Sequence, residues 1–386
     1  MSGVAILGGG LAGGAAAVLL ARAGMAVRLF ERDAEPRDKM CGEFLSIEAR
    51  DDLARIGLDT ARLGAVAIDR MRLSAGPRDI EAKLPFVAHG ISRRVLDEAL
   101  LELAAGAGAT LERGVRVGAI DGQTIATSAG PCRAGRILLA TGKHDLRGAK
   151  RAEPATRDGY VGFKMHWRAA RAATAGSIDL VLFDGGYAGL QPVAADVVNL
   201  CLIVRRDRLA ASGGRWDTLL ADLMREPGIA RRLADAEPLF AQPLTIANLP
   251  YGYVCKPDPA APGHLYRLGD QAAMTASLTG DGMALAVRSA HVAAASLLAG
   301  KSAQAYHAQF ARMVSGQVRR AMWLQRATEL PIALQAGFRV LALWPKLLAG
   351  LAGATRLPDY SSSLPICAPP AKSCNSAVAA RICSRE

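Results

Sequence analysis

One stretch constrains this chain more than any other: residues 2–31, SGVAILGGGLAGGAAAVLLARAGMAVRLFE. Val4 to Leu7 is a short apolar run bounded by glycine, the pattern of a strand buried in a parallel sheet, and GGGLAG follows it directly. A helix opens there, with Val18, Leu19 and Leu20 in an alanine-rich background and Gly24 as its stop. Ala26 to Phe30 reads as the second strand. Glu31 ends it, near the roughly 20-residue offset from the first glycine at which an acid meets a ribose hydroxyl. In this reading Gly8 permits the tight turn, Gly10 lets backbone approach a pyrophosphate, and Gly13 lets helix and strand pack closely. Leu11 and Ala12 lie in the helix N-terminus, whose N–H groups and dipole suit phosphates. FAD or NAD fits such a site, whereas the Glu31 carboxylate would repel the extra phosphate of NADP.

A chain of 386 residues, 51% hydrophobic and 21% charged, is long enough for two domains with substantial cores. Its formal charge of +12 does not read as nucleic-acid binding, because arginines are scattered and aromatics are only 5%. An anionic cofactor, an acidic substrate or an anionic membrane surface uses that charge better. No basic leader and apolar run precedes the first strand, so a cytoplasmic location is expected. The seven cysteines show neither CxxC nor Cys/His ligand spacing, which predicts free thiols and no metal site.

After Glu31 the polar RDAEPRDKMCGEFLS suggests an insertion over the cofactor, followed by a helix from Ile47 to Ile56 that stops at Gly57. Ala65 to Leu73 reads as strand, Ile91 to Ala105 as a helix capped by Ser92, Thr110 to Ile120 as one strand, and Ile137 to Ala140 as another buried strand running into ATGKHD. From Tyr160 to Arg168 the pattern alternates. Val161, Phe163, Met165 and Trp167 share one face and Lys164, His166 and Arg168 the other, which predicts a half-buried antiparallel strand with His166 solvated. Strands at Ser177–Phe183, Tyr187–Val193 and Val197–Val204 complete a second, antiparallel sheet, with a helix over 216–236 and a return to the sheet over 244–254. His264 to Leu268 is a strand leading to Asp270, and Gly280 and Gly282 open a helix through Leu298. Helices are expected over 306–323 and 331–351. The tail from Ser361 to Glu386 lacks periodicity and reads as disordered.

Five motifs in order carry a family resemblance: GGGLAG with Glu31, KMCGEFLS at 39–46, SRRVLD at 92–97, ATGKHDLRG at 140–148 and GDQAAMTASLTGDGM at 269–283. Over residues 3–355 the chain resembles the FAD-dependent oxidoreductases that join aromatic monooxygenases to geranylgeranyl reductases. The resemblance implies a Rossmann-like α/β FAD-binding domain (residues 1–62, 88–150 and 263–300) of the glutathione-reductase type. An interleaved antiparallel-sheet substrate domain (63–87 and 151–262), as in para-hydroxybenzoate hydroxylase-like enzymes, and C-terminal helices (301–355) complete it.

Position by position, the resemblance implies that Gly8, Gly10, Leu11, Ala12 and Gly13 form the pyrophosphate turn. Glu31, with Arg32 beside it, meets the adenosine ribose. Arg93 contacts FAD from outside the first βαβ unit, and Val117 meets adenine through its backbone. Cys41 and Gly42 lie at the flavin face and Gly142 at a strand end where backbone comes close. Asp270 holds the ribityl chain, while Gly280, Gly282 and Met283 present N–H groups to the flavin pyrimidine edge, where they stabilise the charge of the reduced ring. Ala276 stands where the family usually has proline, and ATG replaces the ADG of many hydroxylases. The WxWxIP motif of flavin halogenases is absent.

The activity implied is hydroxylation of a hydrophobic, aromatic or polyketide-like small molecule through a flavin hydroperoxide, with NAD(P)H as transient reductant. Reduction of isoprenoid double bonds is the alternative and a flavin-binding protein without turnover the third. No catalytic side chain is indicated, His144 being near ATG without a paired carboxylate. The segment 330–355 is rich in Leu and Ala but interrupted by Arg339, Pro345 and Lys346, so peripheral membrane contact, not a span, is its expected limit.

Overall fold

The computed structural model describes residues 3–151, 159–169 and 176–358. Five short strands form a parallel sheet in the order Leu265–Arg267, Arg136–Leu139, Val4–Leu7, Val27–Glu31, Thr110–Arg113. Both faces of this sheet are covered, which is why its strands read as continuous apolar runs. Val4 and Ile6 pack beneath the helices Leu11–Arg22, Arg93–Gly106 and Gly282–Leu298, while Ala5 and Leu7 meet Ile120 and Ile125 of a small antiparallel sheet. That small sheet, Val117–Asp121, Thr124–Thr127 and Gly130–Arg133, corrects the expectation of one strand over 110–120. Gly114, at φ +73, turns the chain between the two sheets.

The chain leaves the parallel sheet twice to build a second, nine-stranded one. Its order is Ala236–Pro238, Tyr160–Ala169, Val197–Arg205, Gly186–Pro192, Gly176–Phe183, Val66–Ala75, Arg78–Gly90, Phe44–Leu45, with Leu244–Ala247 also paired to Tyr160–Ala169. It is antiparallel except where Gly176–Phe183 runs parallel to Val66–Ala75, the joint between the two excursions.

The strand Tyr160–Ala169 is buried on both faces apart from Arg168, not half-buried. Its apolar face packs on the helices Trp216–Leu223 and Pro227–Leu233, with Phe163 stacked 5.2 Å from Trp216. The single helix expected over 216–236 is broken by Pro227, which starts a new helix at its N1 position. Likewise 331–351 divides into Pro331–Leu343 and Lys346–Ala354 around Pro345, and these helices cover the other face of the sheet through Phe338 and Leu348. The helix before them is longer than its apolar pattern suggested, Ala303–Glu329, capped by Ser302. The tail from Ser361 lies outside the described residues; the four described cysteines are free thiols.

Candidate functional site

The first turn is built by backbone contact. Gly8 sits at φ +108, where a Cβ would lie 2.4 Å from the Ala140 carbonyl oxygen, and a Cβ on Gly13 would lie 1.9 Å from that of Gly8. Gly10 differs, since a Cβ there meets only the far end of Arg93 at 3.3 Å; its bareness leaves room above the helix start. The first-turn N–H groups of Leu11, Ala12 and Gly13 have no intrahelical acceptor, and no acidic side chain occupies that turn. Such an end favours an anion.

Buried Glu31 is fixed by N–H donors from Gly9 (2.7 Å) and Asp33 (3.0 Å). A cleft beside it is bounded by Lys39, Arg94, Asp97 and Arg113. The Arg93 guanidinium next to Gly10 forms two hydrogen bonds to Asp97, at 2.7 and 2.8 Å; burial opposes its charge, but Asp97 and Cys41 together raise its pKa. Arg32 is exposed, 3.8 Å from Asp33. Val117 begins the small sheet two residues after Val115, whose N–H donates to the Glu31 carbonyl.

The second helix start lies beside the first, because a Cβ on Gly269 would meet both Ala12 at 3.2 Å and Ala286 at 3.7 Å, each in the opening turns of its helix. Asp270 accepts from Lys143 at 3.2 Å, and Lys143 also reaches the Met40 carbonyl. Burial alone would lower the Lys143 pKa, yet Asp270 and Cys41 raise it. Gly280 is left-handed (φ +71), and a Cβ on it would strike the Phe44 ring at 2.8 Å. Met283 has its side chain in the core, so only its backbone is available at the turn. A Cβ on Gly42, Gly142 or Gly282 meets nothing within 4 Å, so open space adjoins all three backbones. Ala276 has φ −57, the angle a proline would impose, so the turn keeps that shape without the ring. Arg356 helps hold it, donating to the Thr279 carbonyl and lying 2.7 Å from Asp281. Asp281 is fully buried, and burial pushes its carboxyl up to about 6 despite Arg356.

Between these two turns, residues 39–43 are tied down by the roofing sheet. Asn199 and Gln191 donate to the Gly42 carbonyl at 2.8 Å each. Glu43, fully buried and at φ +60, accepts from Lys164 (2.5 Å), pairs with His166 (2.6 Å) and accepts the Arg93 N–H (2.8 Å). Burial drives the Glu43 carboxyl upward, but Lys164 and His166 outweigh it and hold the group below the usual carboxylate range. Lys164 and His166 are therefore buried partners of the Cys41 loop, correcting the expected solvated face. Period-two alternation identifies the two faces of a strand without saying what covers each. Ligand atoms of Asp38, Glu43 and His166 lie within 4.8 Å of one another, but the Lys164 ammonium already supplies the positive charge there. His144 is exposed; burial first, then Arg32, Lys143 and Arg151, lower its pKa.

Beyond the turn at 276–283 a cavity of about 330 Å³ is lined by Tyr160, Leu182, Tyr187 and Ile203 of the sheet and by Gln325, Thr328, Glu329 and Leu334 of the C-terminal helices. Tyr187 and Tyr251 both hydrogen-bond the Ser277 hydroxyl, Tyr251 at 2.9 Å. Burial raises the Tyr187 pKa well above its ordinary value, so the phenol stays protonated. These three hydroxyls had no local sequence signal, since they come from segments far apart in the chain.

Residues 6–57 match the model of the NAD(P)-binding Rossmann-like domain. A menaquinone reductase of Mycolicibacterium smegmatis is 32% identical over 119 residues, 30% of this chain and 29% of that protein, so the match spans about three tenths of the relative. Among solved structures, the flavin-dependent brominase Bmp2 superposes with a TM-score of 0.77 over 100% of this chain and 98% of its own at 17% identity. PqsL of Pseudomonas aeruginosa, in complex with 2-aminobenzoylacetate, gives 0.68 over 87% and 99% at 18% identity. The chain therefore has the fold of these flavin-dependent enzymes, and its N-terminal segment 6–57 resembles an NAD(P)-binding Rossmann-like domain.

Proposed function

We propose that the chain binds FAD and, with NAD(P)H as reductant, hydroxylates a hydrophobic aromatic or polyketide-like small molecule. The residues fit the cofactor: the backbones at Gly42, Gly142 and Gly282 adjoin open space, and Gly10 at the first helix start is faced only by the ends of the Arg93 and Asp97 side chains. Gly8 to Gly13 and Arg93 would take the pyrophosphate, Glu31 the ribose with Val117 near the adenine, and Asp270 the ribityl chain. The N–H groups of Gly282 and Met283 would face the pyrimidine edge, whereas that of Gly280, expected there too, is taken by the Ser277 carbonyl at 3.2 Å. When bound, the flavin supplies the reductive activation of O₂ from which one oxygen atom enters the product.

The observation that carries the hydroxylase reading is the Tyr187–Ser277–Tyr251 hydroxyl chain at the junction of cavity and turn. In a cavity lined also by Leu182, Ile203 and Leu334, a phenolic hydroxyl would be oriented by Tyr187. The hydroxyl chain ends on neutral hydroxyls with no base to take a proton, so its part would be to orient the phenol rather than to deprotonate it. An isoprenoid alkene has no polar group to use these donors.

The test is NAD(P)H oxidation by the purified protein with phenolic and polyketide-like compounds under ¹⁸O₂. Stimulated oxidation with label in the product is expected, and Tyr187→Phe should raise KM for phenols and lower turnover by roughly tenfold or more. A second reading, reduction of an isoprenoid double bond, is favoured by the ATG at 140–142 in place of ADG, and the stretch of 119 residues 32% identical to a menaquinone reductase is compatible with a reductase. Turnover that proceeds equally well without oxygen would select it.

A further inference from the structure

The C-terminal helices bury one face and leave another apolar face uncovered. In Pro331–Leu343, Leu334, Phe338 and Leu341 pack toward the sheet, whereas Val340 and Leu343 are 43% and 72% exposed. Trp344 at the bend is 60% exposed, and Leu347 and Leu351 continue the face along Lys346–Ala354. Aliphatic side chains presented this openly, with a tryptophan among them, mark an interaction surface.

Its charge indicates the partner. Residues 330–358 contain no acidic side chain, while Arg339 and Lys346 are exposed on the same two helices. Arg319, Arg320 and Arg326 are exposed on the preceding helix. Apolar side chains, an interfacial tryptophan and flanking cations are what a helix needs to lie in the headgroup region of an anionic bilayer. No helix among the described residues is long and apolar enough to cross a membrane, so the geometry is that of a surface dock.

We propose that the outer face formed by Val340, Leu343, Trp344, Leu347 and Leu351 docks on an anionic lipid bilayer. The docking is independent of the 330 Å³ cavity, whose lining includes Asp184, Glu226 and Glu329 and none of these five side chains.

The test is flotation of the purified full chain with vesicles of phosphatidylcholine alone or mixed with phosphatidylglycerol. The chain should float with the anionic vesicles and be released by high salt. Leu343→Glu with Leu347→Glu, at exposed positions that leave the packed face intact, should abolish flotation while circular dichroism and Tm stay unchanged. Arg339→Gln with Lys346→Gln should weaken binding roughly thirty-fold. Absence of flotation with anionic vesicles overturns the proposal, as does flotation of the double glutamate variant at the wild-type level. A wild-type dimer that the glutamate variant converts to a monomer, without vesicle binding, marks the face as a self-interface. Flotation gained only on removing residues 359–386 shows that the chain covers this face itself. Because flotation needs no turnover, failure of the hydroxylase assay leaves this result intact, and the reverse holds too.

Discussion

Two glycines three positions apart in one motif do different work. A Cβ at Gly13 collides with backbone at 1.9 Å, whereas one at Gly10 meets only a side-chain end at 3.3 Å. Gly13→Ala should therefore lower Tm sharply or prevent folding, while Gly10→Val should fold with Tm near wild type and lack the flavin absorbance. A yellow Gly10→Val protein would sink the pyrophosphate assignment. At Glu43 the stakes are electrostatic: Glu43→Gln removes the counter-charge of fully buried Lys164 and should cost about 3–5 kcal/mol by denaturant unfolding. The double change Glu43→Leu with Lys164→Met should cost less, because no charge is left buried alone. The glycine motif was legible because its spacing is local in sequence, even though Gly8 is bare to admit the distant Ala140 carbonyl. The Glu43–Lys164–His166 cluster was not, since its members lie on a loop and a strand more than a hundred residues apart in sequence.

Elements were legible where their period was long and unbroken, as in Leu11–Arg22 and Gly282–Leu298, and misread where proline divided one apolar run into two helices, at Pro227 and Pro345. The strand Tyr160–Ala169 teaches a related lesson. Its alternation fixed its identity but not its surroundings, because the apolar face meets helices while the polar face meets the Cys41 loop. The element-scale contact with most leverage is Arg356, at the end of the last helix, against the turn at 279–281. Arg356→Met should strand the Asp281 carboxylate in the interior, raise its pKa further above about 6 and destabilise the fold by a few kcal/mol at neutral pH. Chemical denaturation at pH 8 and pH 5 checks this, since protonation of Asp281 should recover part of the loss at the lower pH.

At the scale of the whole molecule, acid stability follows from histidines buried without charge. His307 accepts the Arg267 N–H at 3.0 Å through Nε2, and burial, with Arg267, lowers its pKa to about 4; His89 is lowered to about 4 by burial and Arg50. A base whose folded pKa is depressed gives stability that is complete above its unfolded value near 6.5 and is lost as pH falls toward 4. For His307 that loss is about 2–3 kcal/mol. Glu43 acts in the same direction below the ordinary carboxylate range, while Asp281 and Glu226, both raised by burial, oppose, the Asp281 contribution being lost as pH rises through about 6. Tm should fall between pH 7 and pH 5, and His307→Gln should flatten that slope; a Tm independent of pH would contradict these assignments.

The path of the chain through its two sheets also governs how it can be made. Arg136–Leu139 has one neighbour in Val4–Leu7, but its other edge is paired only by Leu265–Arg267, with Ile137 opposite Leu265. During synthesis, therefore, four strands of the parallel sheet emerge and wait with a bare, apolar edge while the whole intervening sheet leaves the ribosome. A nascent chain arrested near residue 150 should be captured by chaperones or aggregate, and release from that state should come only once residue 267 has cleared the exit tunnel.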